Sequence, residues 1–322
     1  MGVPASSLFS AAEPRSRWLL RSGDAQAVGN VAWAAATLGR DAPLLAAAVE
    51  EHARAFVGGG DWKAVAAAAW AFGRMGRRAP GFFEEIDGAA PELVGRGGPR
   101  AASSVLLAAA ALRAPMGGLR AALEEGRGSF CREATAQAVC NAAYALAVGG
   151  GGGGRLGGAL WEEAVGRRWG ELGGGERNQM RVVAAHGGRL GELPEEEWGR
   201  SDRENSDFEE SVGKVLGEMG LGFEREVGLL EGGGDLLAAD FLLGAGGGGR
   251  EEGGIVVECD GPSHFLRGEH GQRDGPENGP TVAKRRLLES KGYEVVNVPW
   301  WVNKGRGPIR AFLEERLGQR LR

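Results

Sequence analysis

The first half of the chain repeats one pattern of apolar positions every 37 residues. A bulky residue recurs at this step within alanine-rich segments such as "NVAWAAATLG". The four bulky residues are Trp33, Trp70, Leu107 and Tyr144. A second column with the same step contains Val28, Val65, Ala102 and Val139. Several columns in one register are typical of helical repeats, in which each unit buries its apolar face against the next.

Each unit is long enough for two helices. The first helix ends near a glycine such as Gly39 or Gly76, and the second begins near Pro43, Pro80 or Pro115, because proline suits the first turn of a helix. Residues that can cap the first helix are Asp24, Asp61 and Thr135. We therefore predict an α-solenoid of helical-hairpin repeats over residues 21–195, with the bulky column packed in the seams between repeats.

From residue 206 the repeats give way to mixed strands and helices. Ser206 and Glu209 form a capping box for a helix that ends near Gly220. Three strand-like segments follow. A helix that begins at Thr281 separates them from a fourth strand, and a closing helix comes after that strand. The strands are expected at 223–227, 236–243, 254–260 and 293–301. The order αβββαβα predicts an α+β domain with a central mixed sheet over 206–322.

Composition and charge narrow the functional classes. Hydrophobic residues are 43% and charged residues 25%, as in a globular protein. No apolar run approaches the roughly 18 residues that span a bilayer, so we expect no membrane association. A net charge of −5 argues against indiscriminate nucleic-acid binding, although basic residues outnumber acidic ones after Thr281. Residues 1–20 are compatible with an organelle transit peptide or a disordered segment.

The stretch "IVVECDGPSHF" places two carboxylates and a histidine where a strand meets a turn. Glu258 and Asp260 share a face because the period of a strand is two residues. Asp240 falls on the preceding strand, so adjacent strands could bring three carboxylates to one edge. Three carboxylates suit Mg²⁺, and a metal ion with a base such as His264 would suit phosphodiester hydrolysis.

The segments "VVECDGPSHF" and "NGPTVAKRRLLESKGYEVVNVPWW", with the closing helix, resemble the RAP domain. The resemblance covers about 223–317 and is strongest over 255–301. It rests on an E-x-D-G-P-x-H strand and turn, an N-G-x-T helix start and a G-Y-x-V strand. The matching positions are Asp240, Glu258, Asp260, Gly261, Pro262, His264, Thr281 and Arg285. The chain departs from the pattern in a glycine-rich insertion at 244–254 and a long loop at 266–280.

The resemblance implies a fold and a function. RAP domains are similar to the restriction-endonuclease fold and occur at the C-terminus of organellar RNA-binding proteins, often behind helical repeats. The first half is similar to the octotricopeptide repeats of organellar RNA factors. Together they imply RNA binding in a mitochondrion or chloroplast, in RNA processing, stability or translation. The implied partners are organellar RNA and other RNA-processing proteins, and no cofactor is required.

The acidic residues also have a non-catalytic interpretation, which we favour. Nucleases of the restriction type carry a lysine two residues after the glutamate, where this chain has Asp260, although Lys284 could reach in from the next helix. The carboxylates would instead hold the turn and pair with Arg285 or Arg286. Trp300 and Trp301 would alternate across a strand, leaving one exposed to stack on a base. The candidate RNA contacts are His264, Lys284, Arg285, Arg286 and Trp301.

Three functions fit these observations. The first is an RNA-binding protein that holds an organellar transcript with both halves of the chain. The second is a metal-dependent endoribonuclease that uses Mg²⁺ with Asp240, Glu258 and Asp260 as ligands or catalytic residues, assisted by His264. The third is a protein-interaction scaffold with an inactive nuclease-like domain. We favour the first, and we lean against enzymatic activity.

Overall fold

The computed structural model describes residues 11–194, 206–229, 238–244, 254–268, 271–303 and 306–318. The chain divides into two compact units. The helical unit is Met1–Val183 with Leu266–Pro280, and the α/β unit is Ala184–Phe265 with Thr281–Arg322. The first half of the segment 1–20 lies outside the described residues. Within the described ranges, no helix has the length and apolar character needed to cross a membrane.

The helical unit alternates long and short helices. They are α1 (Ser16–Arg21), α2 (Ala25–Thr37), α3 (Pro43–Glu51), α4 (Ala53–Gly58), α5 (Trp62–Met75), α6 (Pro80–Gly88), α7 (Gly98–Leu112), α8 (Gly117–Glu125), α9 (Arg127–Glu133), α10 (Ala136–Val148), α11 (Arg155–Trp161) and α12 (Gly174–Gly187), whose last turn belongs to the α/β unit. The long helices α2, α5, α7 and α10 pack against one another in that order.

Local sequence signals set the starts of the long helices. The predicted N-caps are confirmed, because Asp24, Asp61 and Thr135 each accept a hydrogen bond from the backbone N–H three residues later, at 2.9, 3.1 and 3.2 Å. The predicted second helix of a unit is divided in two. His52 separates α3 from α4, and Gly126 separates α8 from α9, each with ψ near zero. The first and third repeats therefore hold one long helix and two short ones.

The prediction that the bulky column fills the seams is wrong. Trp33 is 53% exposed, and the next three members of the column are only half-buried. The smaller column fills the core instead, since its members are fully buried. The physical reason is the closeness of the helices. A Cβ placed on Gly73 would lie 2.9 Å from the Cα of Ala108, so α5 and α7 leave no room for a large side chain between them.

Carboxylates connect successive repeats, a feature that the sequence analysis missed. Asp87 accepts hydrogen bonds from the backbone N–H groups of Gly118 and Leu119 at 3.0 and 2.8 Å, at the start of α8. Equivalent carboxylates bond the first turns of α3, α6 and α11. They are Glu13, Glu50 and Glu124, which continue the step of 37. Each satisfies orphan donors and complements the helix dipole of the next repeat.

The long loop at 266–280 belongs to the helical unit. The backbone N–H of Arg267 donates to Gly76 O at 2.9 Å, and its side-chain Nε donates to Met75 O at 3.0 Å. Arg273 donates to Arg74 O at 3.0 Å. These donors satisfy carbonyl groups at the C-terminus of α5. The last carbonyl groups of a helix have no backbone N–H partner within the helix itself. The described residues of the loop therefore bond the end of that helix.

The α/β unit confirms the predicted order αβββαβα. Its elements are α13 (Asp207–Glu218), β1 (Phe223–Gly228), β2 (Ala238–Leu243), β3 (Ile255–Asp260), α14 (Gly279–Ser290), β4 (Glu294–Pro299) and α15 (Arg306–Leu317). The predicted capping box is present, since Ser206 Oγ accepts from Glu209 N at 3.2 Å and lies 3.1 Å from Glu209 Oε1. The predicted strand residues 236 and 237 lie outside the described ranges.

The four strands form one mixed sheet in the order β1-β2-β3-β4. The first two pairings are antiparallel, and β3 pairs with β4 in parallel, with α14 as the crossover. Helices α13 and α15 cover one face through Val212, Leu216 and Leu313. Leu288 of α14 packs on the other face against Val256. The result is a small α+β unit with helices on both faces of the sheet.

Candidate functional site

The two acids of β3 lie buried on the face of the sheet that meets α14. Glu258 is 5% exposed and Asp260 1% exposed. Lys284 of α14 donates to Glu258 Oε2 at 2.7 Å and to Ala238 O at 2.9 Å. The predicted pairing with Arg285 or Arg286 is therefore wrong. Each step along a helix turns a side chain by about 100°, so only Lys284 of the three faces the acids.

Burial dominates the electrostatics of Glu258. It raises the pKa of this carboxyl to about 7, against the opposing effect of Lys284 and with a smaller contribution from Asp240. Within the described residues, neither Glu258 Oε1 nor Asn297 Oδ1 has a hydrogen-bond partner. The two residues are register partners across β3 and β4. A proton on Glu258 would turn one of its carboxyl oxygens into a hydrogen-bond donor at this buried position, beside the acceptor Asn297 Oδ1.

Asp260 holds the turn that follows β3. His264 Nδ1 lies 3.0 Å from Asp260 Oδ1 and 3.1 Å from Thr281 Oγ1. Asn297 donates to Asp260 Oδ2 at 2.6 Å, and the backbone N–H of His264 donates to Gly261 O at 3.0 Å. Asp260 is thus satisfied from both sides. Nδ1 of the imidazole faces the protein, and Nε2 is the ring nitrogen that can meet a ligand.

The surroundings of two histidines in this unit shift their pKa values in opposite directions. The hydrogen bond to Asp260 raises the pKa of His264 above 6.5, whereas burial, with Arg286 nearby, lowers the pKa of His186 to about 4. The stability from His264 is therefore present below pH 6.5 and is lost as pH rises through the folded pKa.

We expect NMR titration of the imidazole resonances to show a higher pKa for His264 than for His186. Asp260→Asn should lower the pKa of His264 and leave that of His186 unchanged. A His264 that titrates at or below 6.5 in the parent would contradict the contact.

Asp240 departs from the regular sheet. The ladder between β2 and β3 ends at Phe241 and Val257, and the Asp240 carboxylate accepts a hydrogen bond from Cys259 N at 2.7 Å. On the other side, Glu226 has φ +50° and no ladder partner in the register of β1 and β2. The pairing is therefore interrupted at Asp240 without an inserted residue, because the register of β1 and β2 is the same on both sides of it. The Asp240 carboxylate bonds the backbone of the neighbouring strand instead.

The three predicted carboxylates therefore have three different sets of partners. Asp240 bonds a backbone N–H, Glu258 bonds a lysine, and Asp260 bonds an asparagine and a histidine. In the part of the chain that the structure describes, no group of three or more acidic, histidine or cysteine side chains is placed to hold one metal ion. This arrangement does not fit a Mg²⁺ site, because the ammonium group of Lys284 already occupies Glu258.

The two tryptophans lie on a turn rather than on a strand. β4 ends at Pro299, and Trp300–Val302 form a turn of 3-10 helix, so the predicted alternation across a strand is wrong. The rings of Trp300 and Trp301 lie 6.0 Å apart at 81°. Both are half-buried, and both line a cleft of about 530 Å³ that also reaches His264.

The remaining candidate RNA contacts lie on α14. Arg285 is half-buried and lies 4.0 Å from Glu289, and Arg286 is exposed. Lys284 has a structural contact in the ion pair with Glu258, and its contact with RNA stays a prediction. The sequence analysis missed Asn297 as a partner of Asp260. The available signal was a polar side chain in the otherwise apolar strand "EVVNVP".

Comparison with known proteins identifies a family for this part of the chain. The family model described as RAP domain matches residues 257–304. The matched range contains Glu258, Asp260 and His264, all of α14 and both tryptophans of the cleft. RAP domains are generally associated with RNA binding. No curated protein matches the chain.

Proposed function

We propose that the chain is an RNA-binding protein whose α/β unit contacts single-stranded RNA. The observation that carries the proposal is the RAP domain at 257–304, since it coincides with the residues that build the His264 turn and the tryptophan cleft. Partly exposed aromatic rings stack on unpaired bases, and arginines at the surface hold phosphates. The unit supplies both kinds of group within one short segment.

The helical unit extends the proposal. We propose that its 37-residue units form an α-solenoid, that the α/β unit has a restriction-endonuclease-like fold, and that the protein acts in the processing, stability or translation of an organellar transcript. The basic, serine-containing composition of residues 1–20 supports a mitochondrial or chloroplast location. Other RNA-processing proteins would be its partners.

We expect salt-dependent binding of RNA by the intact chain. For single strands, each phosphate contact contributes about 0.7 to the slope of log affinity against log salt. Two or three contacts would thus reduce affinity about tenfold between 50 and 200 mM salt. Fluorescence anisotropy with an unstructured 20-nucleotide RNA measures this slope. The double variant Arg285→Gln/Arg286→Gln should flatten it, and Arg310→Gln, on α15, is the matched control.

The same samples test the other functions. Gel analysis of the RNA after incubation with Mg²⁺ or Mn²⁺ would reveal cleavage, and cleavage lost in Glu258→Gln would favour the endoribonuclease. Absence of RNA binding at all salt concentrations would contradict the proposal and favour a protein-interaction scaffold.

A further inference from the structure

The cleft beside the Trp300–Val302 turn lies where a ligand could bind. It lies past the carboxyl ends of β3 and β4, the one parallel pair of the described sheet, where α/β folds commonly bind small molecules. Its volume of about 530 Å³ lies within the usual range for such sites, so it accommodates a single nucleotide rather than a strand. The residues that matter for its chemistry are Phe208, Glu209, His264, Trp300, Trp301 and Asn303.

The aromatic side chains give the cleft a fixed shape. Trp301 packs against Phe265, with ring centroids 4.6 Å apart, and stands nearly perpendicular to Trp300. Phe208 is buried in the core of the unit. Rings held in this way offer one flat stacking surface and one edge without further ordering on binding. Such a surface suits a planar heterocycle that stacks on one ring.

The described lining favours a neutral ring over a phosphate group. Among the described residues that line the cleft there is no lysine or arginine, and the groups that can carry charge are Glu209 and His264. A phosphate group would be repelled by the Glu209 carboxylate, and the His264 imidazole is already bonded to Asp260. A neutral ring with hydrogen-bond donors on its edge would instead satisfy the carboxylate.

Glu209 is held as an acceptor. Its backbone and side chain both bond Ser206 in the capping box, which limits the rotamers of the carboxylate. Burial raises its pKa, with a contribution from Asp240, yet the side chain keeps enough exposure to reach a ligand. An ionised carboxylate only accepts hydrogen bonds. Guanine offers two adjacent donors on its Watson–Crick edge, whereas adenine offers one.

We propose that this cleft binds one unstacked guanine base of an RNA, with the ring stacked on Trp301 and the Watson–Crick edge against the Glu209 carboxylate. This inference rests on the proposed function, because it names the base that the RNA-binding unit selects. His264 Nε2 and the Asn303 amide, which also line the cleft, would meet the remaining polar atoms of the nucleotide.

The test compares three RNAs on the full chain at pH 7.5. Each is an oligouridine that differs at one central position, which carries guanosine, inosine or adenosine. Inosine keeps the ring and N1–H of guanosine and lacks the 2-amino donor. We expect the guanosine RNA to bind on the order of tenfold more tightly than the adenosine RNA, as for a bidentate base contact, with inosine between them.

Two variants separate recognition from folding. Glu209→Gln preserves the capping box but replaces one acceptor oxygen with a donor, so it should remove the preference for guanosine. Glu210→Gln is the matched control, since Glu210 is exposed on the same helix and pairs with Arg225. Circular dichroism confirms that both variants are folded.

The outcomes distinguish the two proposals. Equal binding of the three RNAs by the parent, or loss of the preference in Glu210→Gln as well, would overturn the guanine site and leave RNA binding intact. Absence of binding to every RNA would overturn both. A preference that disappears in Glu209→Gln alone supports the guanine site.

Discussion

Replacing Lys284 with methionine should destabilise the α/β unit by about 3 kcal/mol at pH 8, because removing one partner of a buried ion pair leaves the other charge uncompensated. Glu258 is 7% exposed at its side chain and Lys284 27%. The lysine also donates to Ala238 O at the start of β2. Methionine keeps the unbranched apolar stem of the side chain and removes its ammonium group.

The destabilisation should depend on pH with a defined sign. The pKa of Glu258 is already raised to about 7 by burial, and loss of the lysine removes the cation that opposes this rise. Below about pH 7 both proteins keep this proton in the folded state and lose stability equally, so the difference between them grows as pH rises above the parent's folded pKa. We therefore expect a small difference from the parent at pH 5 and a larger one at pH 8.

Urea unfolding followed by tryptophan fluorescence measures the effect. Lys291→Met is the matched control, since Lys291 is exposed just after the same helix. The double variant Glu258→Gln/Lys284→Met should recover stability to within about 1 kcal/mol of the parent, because both charges are then absent. Equal unfolding midpoints for Lys284→Met and Lys291→Met would contradict a buried pair.

Gly73→Leu should destabilise the helical unit by about 3 kcal/mol, although glycine is normally the weaker helix former. A Cβ on Gly73 would lie 2.9 Å from Ala108 Cα and 3.0 Å from Ala108 Cβ, so α5 and α7 would have to separate. That cost exceeds the gain of about 1 kcal/mol in helix propensity.

The control for this prediction is another glycine of the same unit. A Cβ on Gly58, at the end of α4, would meet nothing within 4 Å. Gly58→Leu should therefore leave stability unchanged or improve it slightly. Denaturation followed by the helical signal in circular dichroism compares the two. A Gly73→Leu variant as stable as Gly58→Leu would show that the long helices do not approach closely.

The repeat period, the helix caps and the order of elements could all be predicted from the sequence, because each depends on local signals. Asp24 and Ser206 cap helices through groups within three residues. The role of the bulky column could not be predicted in this way. Whether Trp33 fills a seam depends on the distance between helices, and glycines such as Gly73 set that distance.

In the candidate site too, local features could be predicted and tertiary contacts could not. The strand period correctly gave Glu258 and Asp260 a common face, and the turn at His264 follows from its own sequence. The partner of Glu258 depends on which side of α14 meets the sheet, and this selected Lys284 over the arginines. The interrupted pairing at Asp240 and the end of β4 before Trp300 depend on tertiary contacts, which the sequence pattern does not show.

The cross-repeat carboxylates are a different case, because their signal was available. Glu13, Glu50, Asp87 and Glu124 follow the period of 37 as regularly as the bulky column does. Their partners lie 31 or 32 residues later, which no local rule of helix capping considers. A search for charged columns as well as apolar ones would have found them.

Ultraviolet crosslinking of the full chain to single-stranded RNA, followed by mass spectrometry of the crosslinked peptides, tests RNA binding by the α/β unit most directly. We expect crosslinks in the peptide that contains Trp300 and Trp301 and in the peptide that contains His264, because these residues line the cleft. Crosslinks confined to the helical unit, or none at all under conditions that crosslink a known RNA-binding protein, would contradict it.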